Sequence, residues 1–83
     1  MYFVYVLSSE ICDRLYIGSS AEPDERLSSH NFGKVKSSKP YRPWKRILLE
    51  QHDTKTEALK REKYLKSGWG RKVLAKLIQR RDG

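Results

Sequence analysis

Residues 2–7, YFVYVL, form an unbroken run of aromatic and β-branched residues, and a shorter apolar run, RLYIG at 14–18, follows across a polar connection. Both compositions favour extended chain on a pleated, half-buried surface, and together they predict an antiparallel hairpin. Side chains alternate across a strand, so Tyr2, Val4 and Val6 share one face and Phe3, Tyr5 and Leu7 the other; in the second run Leu15 and Ile17 stand opposite Tyr16. With Val4, Val6, Leu15 and Ile17 covering one core, Tyr5 and Tyr16 project together from the reverse face. Gly18, Ser19 and Ser20 are read as the end of the second strand.

Pro23, followed by Asp24 and Glu25, has the form of a first helical turn. Proline lacks only a donor that the turn leaves unpaired anyway, and carboxylates favour the positive end of the helix dipole. This helix is predicted over about 23–31, with Leu27 as its main apolar anchor and with Arg26 and His30 four apart on one face. The stretch FGKVKSSKPYRP reads as a loop, and WKRILLE at 44–50 as a third strand. Thr54, with Glu57 three residues on, starts a helix through KTEALKREKYLK. A last helix over about 70–80 sets Val73, Leu74, Leu77 and Ile78 on one stripe and Lys72, Lys76, Gln79 and Arg80 away from it. Three strands and three helices in a chain of 83 residues make one domain, 1–80, with Arg81 to Gly83 as a flexible end.

The balance of 18 basic against 10 acidic residues gives a formal charge of +8, a field that attracts polyanions and makes nucleic acid the first partner to consider. Between Arg26 and Leu49 there is no Asp or Glu, while Lys34, Lys36, Lys39, Arg42, Lys45 and Arg46 fall there with Phe32, Tyr41 and Trp44 among them. That mixture suits phosphate contacts and base stacking, or else a solvated loop. Cys12 is the single cysteine, so the chain forms no internal disulfide, and no Cys/His cluster offers a zinc site. A reducing, cytoplasmic setting fits. No apolar run approaches the roughly 18 residues that span a bilayer, and the start of the chain has neither the basic flank nor the long apolar middle of a signal peptide.

One carboxylate breaks the pattern. Each residue of a helix advances about 100°, so with Ala58 at zero Glu62 lies only about 40° away and points with the apolar stripe, whereas Glu57 turns to water. A carboxylate drawn to the core side needs a cation, a hydrogen bond or a metal. By position alone, Glu62 is either a paired structural residue or a hard oxygen ligand for Mg²⁺.

The order of these features carries a resemblance: an aromatic-rich strand with FVY at 3–5, then YIG at 16–18, Arg26, His30, and a glutamate inside EALKREK. The chain resembles the GIY-YIG nuclease family, in particular small stand-alone members similar to the N-terminal domain of the excinuclease subunit UvrC. The match runs from Tyr2 to about Ile78; YIG is complete, while the first half-motif lacks its Gly and has Val for Ile. The resemblance implies an α+β fold, a three-stranded antiparallel sheet flanked by helices, and cleavage of phosphodiester bonds in DNA with one divalent ion, Mg²⁺ or Mn²⁺. RNA stays open as a substrate, and so does a protein partner that supplies specificity.

Carried over by position, the family's site residues fall on Tyr5, Tyr16, Arg26, His30 and the metal-binding Glu62. Tyr5, its pKa lowered by the metal and nearby cations, is assigned as general base or holder of the base, and Tyr16 as the group that positions water or phosphate. Arg26 would meet the charge growing on the phosphate with its fork of donors, and His30 would shuttle a proton or support a tyrosine. The Asn that many members carry downstream is replaced here by Leu74. LKSGWGRK at 65–72 resembles a segment of the small members, which brings Lys66, Trp69 and Arg71 to the border of the site.

Taken singly, each residue also has a plain structural reading: half-buried sheet tyrosines, a surface Arg26, a His30 favoured by the dipole at a helix C-terminus, a structural His52, and Trp44 and Trp69 as core or rim aromatics. A nucleic-acid-binding module without catalysis is the alternative function.

Overall fold

The computed structural model describes residues 1–82 and shows β1 (Tyr2–Ser9), β2 (Leu15–Ser20), α1 (Pro23–Asn31), β3 (Trp44–His52), α2 (Lys55–Lys66) and α3 (Gly68–Asp82). Gly83, part of the segment expected to be flexible, lies outside the described residues. The fold is α+β, with the strands in one antiparallel sheet of order β2-β1-β3. Because β1 is the central strand and is covered on both faces, its residues Val4 to Leu7 are all buried, which is why the sequence there is a continuous apolar run.

The two faces hold different cores. On one, Val4 and Val6 meet Leu48, Ala58, Leu65 and Leu74 beneath α2 and α3, with Ile17 packed against them. On the other, Tyr5 and Leu7 meet Trp44, with Tyr16, Leu27 and Tyr41 around them. Arg61 on α2 donates from Nε and Nη2 to the two carboxylate oxygens of Glu50 on β3 at 3.0 and 3.1 Å, which fixes the helix across the sheet. His52 sits beside the same carboxylate, 3.5 Å away, in a structural position.

Several expected boundaries shift. β2 continues through Ser20, because Gly18, Ser19 and Ser20 pair with Tyr5, Val4 and Phe3 of β1. Leu15, expected in the core, stays 43% exposed at the start of β2, where it lines an open groove with Ile17, Leu74 and Ile78. Inside the loop after α1, Lys39–Tyr41 forms a short 3₁₀ turn. α3 begins at Gly68, two residues early, where the Ser67 hydroxyl accepts the Gly70 N–H at 3.1 Å and caps the helix. Thr54 caps α2 as expected, its hydroxyl accepting from Glu57 N–H at 3.2 Å.

Candidate active site

Tyr5 and Tyr16 lie on the same face, because Tyr16 pairs with Leu7 and Tyr5 with Gly18, two steps along the ladder. Their rings are nearly parallel, 16° apart, with centroids separated by 6.5 Å. Gly18 makes this arrangement fit. A Cβ there would stand 2.5 Å from the Tyr5 hydroxyl and 3.2 Å from Cε1 of Tyr16, so a bare backbone lets the Tyr5 ring lie over the edge strand. Tyr5 itself is only 1% exposed. Burial raises its phenol above the usual tyrosine value, with Arg26 pulling the other way and Tyr16 and Glu62 adding to the rise. Among the protein's own groups, desolvation therefore outweighs the guanidinium at this phenol.

α1 brings Arg26 and His30 to the same pair of phenols. The Arg26 guanidinium approaches both hydroxyls and is itself held more firmly protonated by Tyr5 first, against the opposing pull of burial. His30 is fully buried, with its ring centroid 4.4 Å from that of Tyr16 and 6.2 Å from that of Tyr5. Nδ1 lies 2.6 Å from the hydroxyl of buried Ser38, which in turn donates to the Val35 carbonyl at 3.3 Å. With the Ser38 proton on Val35, Nδ1 carries the imidazole proton and Nε2 is left as an acceptor without a partner among the described residues. Burial, and next Arg26, lower the His30 pKa. Desolvation at this fully buried position thus outweighs the helix terminus and favours the neutral ring.

A linkage prediction follows from that direction. Because the folded pKa lies below the unfolded one, only the unfolded chain takes up the proton as pH falls through about 6.5. Stability attributable to His30 is complete above that pH and declines below it until the folded pKa is reached. Urea midpoints measured from pH 8 to pH 5 should fall in the wild type, and the fall should be shallower in His30→Gln.

Glu62 reaches the site from the other side of the edge strand. Ser19, next to Gly18 but pointing to the α2 face, donates to Oε1 at 2.6 Å, and Lys66 Nζ lies 2.8 Å from Oε2. The side chain is 20% exposed, neither in the core nor in bulk water. Burial acts to raise its pKa, but the bonds from Lys66 and Ser19 prevail and hold the carboxyl below the usual range. Among the described residues no three His, Cys, Asp or Glu side chains gather as a metal cage. A single anionic oxygen ligand beside a hydroxyl fits an ion such as Mg²⁺, which keeps most of its waters and binds substrate phosphate.

The expected nucleic-acid contacts divide. Lys34, Lys36, Lys39, Lys45 and Arg71 are exposed. Arg46 is paired with Asp24 at 2.7 Å, Arg42 Nε donates to the Lys39 carbonyl at 3.0 Å, and Lys66 is paired with Glu62. Of the aromatics in the basic stretch, Phe32 is in solvent, whereas Tyr41 and Trp44 are packed in the core beside Leu7. Trp44 Nε1 donates to the Ser38 carbonyl at 3.0 Å, and Asn31 brackets the Trp44 backbone with two hydrogen bonds. Sequence reasoning missed Ser19, Ser38 and Asn31. For Ser19 a signal exists, because its parity with Ile17 places it on the helix-covered face.

The model of the GIY-YIG catalytic domain matches residues 1–73, most of the chain and every residue of the cluster described above. The chain belongs to the GIY-YIG family. Similar proteins include a UPF0213 protein of Staphylococcus epidermidis, 37% identical over 81 residues with 94% of each chain covered. A UPF0213 protein of Staphylococcus aureus is 36% identical over 81 residues with 96% of each chain covered. No solved structure matches the chain. A GIY-YIG domain is a nuclease domain, its substrate is nucleic acid, and the family generally uses divalent metal ions. Among the described residues no helix is long and apolar enough to cross a membrane.

Proposed function

We propose that this GIY-YIG protein is a divalent-metal-dependent endonuclease that hydrolyses phosphodiester bonds in DNA, in repair or recombination. The observation that carries the reading is the gathering of two phenols and a guanidinium on one face of the sheet, at Gly18, with an inward carboxylate across the edge strand: Arg26 against Tyr5 and Tyr16, and Glu62 bonded to Ser19 next to Gly18. Glu62 would hold the Mg²⁺ or Mn²⁺, which when bound supplies charge neutralisation at the phosphate and acidifies water. Arg26 meets the negative charge that grows on the phosphoryl oxygens. Tyr16 orients water or phosphate. Tyr5, with its proton in place, holds the attacking water through its hydroxyl; acting as base requires prior ionisation, which Arg26 favours and burial opposes. Neutral His30 supports Tyr16 from below, its tautomer set by Ser38.

The test is incubation of purified protein with branched, nicked, single-stranded and duplex DNA, and with RNA, in Mg²⁺ or Mn²⁺. Cleavage that Glu62→Ala removes supports the reading; cleavage unchanged in that variant removes it. A binding module without catalysis is favoured by one observation. Leu74, standing where many members have Asn, is 2% exposed in the apolar core and supplies no polar group. Such a module should bind nucleic acid and yield no products under the same conditions.

The cationic loop makes a separate prediction. Exposed Lys34, Lys36 and Lys39 bear on affinity through released counterions, so changing all three to Gln should make the slope of log K against log salt shallower by roughly 2 to 3. Arg46→Gln, which removes a cation already paired with Asp24, should change the slope by less than about one. Fluorescence anisotropy across a salt series reads both. Specificity beyond this field is assigned to a protein partner, and the working compartment to the cytoplasm.

A further inference from the structure

Trp69 is 69% exposed, while the other tryptophan, Trp44, is 4% exposed and bonded through its ring N–H. A bulky aromatic in water on a small protein calls for a reason, and its mounting is unusually firm. Trp69 stands at the corner between α2 and α3, where the Ser67 N–H and hydroxyl both bond the Tyr64 carbonyl, at 3.0 and 2.5 Å. The Ser67 carbonyl accepts Arg71 N–H at 3.0 Å. Gly70 is buried so closely against the Tyr64 carbonyl oxygen that a Cβ there would lie 1.8 Å from it. The corner therefore has one geometry, and it turns the indole outward. Lys72 Nζ lies 5.4 Å from the ring centroid, and Lys66, three residues before Trp69, pairs with the candidate metal anchor Glu62. From Lys63 to Gln79 the sequence has no Asp or Glu.

We infer that Trp69 is a stacking platform for an unpaired nucleobase, with Arg71 and Lys72 taking the adjoining phosphates, so that the GIY-YIG protein engages single-stranded nucleic acid at this corner. The inference rests on the nuclease reading for its link to the Glu62 site. The π-face of a base is offered to a protein only where the strand is unpaired, because in a duplex both faces are stacked inside. The surrounding cations call for a polyanion, which an apolar protein surface does not supply, and the ring face away from the Lys72 ammonium is the one open to a base. The ligand class this selects is nucleic acid with an unpaired segment that can reach this corner.

The experiment is a titration of tryptophan emission with oligothymidylate in EDTA, so that no cleavage occurs. Wild type should show saturable quenching. Trp69→Phe, in which buried Trp44 is the only emitter, should show none. Trp69→Ala, measured by anisotropy, should bind the single strand roughly tenfold or more weakly and blunt duplex within about twofold of wild type. Equal single-strand affinity in Trp69→Ala and wild type overturns the inference, as does equal weakening for duplex and single strand. Displacement of the oligonucleotide by polyglutamate as readily as by unlabelled oligonucleotide also overturns it, in favour of a site for acidic peptides. If wild type cleaves DNA but Trp69→Ala binds normally, only the platform falls. If nothing is cleaved and the Trp69-dependent preference persists, the platform stands and the nuclease reading falls.

Discussion

Glu62→Ala should lower DNA cleavage by about a thousandfold or more while leaving the fold intact. The two consequences come from different features of one side chain. Its charge is the anionic ligand held beside Ser19, and among the described residues no three His, Cys, Asp or Glu side chains gather as an alternative cage. Its structural role is small: removal leaves the Ser19 hydroxyl and Lys66, 52% exposed, free to turn to water, and a partly exposed ion pair of this kind contributes roughly 0 to 1 kcal/mol. Cleavage measured on gels, together with urea midpoints, separates the two. Glu62→Gln sharpens the comparison, because the amide retains an acceptor for Ser19 without the charge and should be equally inactive. Wild-type cleavage rates in Glu62→Gln would show that the carboxylate holds no ion in the reaction.

Gly18→Ala is the second large effect, and it acts by shape. The added methyl would stand 2.5 Å from the Tyr5 hydroxyl, and the Tyr5 ring, 1% exposed between α1 and the sheet, has no free space into which to swing. Overpacking of this kind costs about 1 to 3 kcal/mol. A phenol displaced by about an ångström should also lower cleavage on the order of a hundredfold. Gly68→Ala is the matched control. Nothing lies within 4 Å of its would-be Cβ, so stability should stay within about 1 kcal/mol of wild type and cleavage should be unchanged. Urea denaturation and cleavage assays on the two variants check the contrast. A Gly18→Ala protein as stable and active as wild type would mean that the close approach of Tyr5 to β2 is not required.

Much of this was legible in the order of residues, because the relevant forces act over a few positions. Alternation along 2–7 and 14–18 placed the two tyrosines on one face, and the proline and carboxylates at 23–25 opened α1 where it starts. The 3.6-residue period turned Glu62 inward. The serine hydroxyls were opaque for the opposite reason. Ser19 and Glu62 are 43 positions apart, so parity with Ile17 gives the face on which Ser19 stands but nothing local names the carboxylate it will meet. The neutral state of His30 depends on a loop folding over it through Ser38, and the pairing of Arg46 with Asp24 on β3 and α1 packing side by side. Charge counted along the chain treats all cations alike; packing decides which keep their charge for a partner. Periodicity thus settled which residues face one another's side of the sheet, while distances, burial and protonation at the site came only with packing, since they are properties of elements brought together and not of any segment alone.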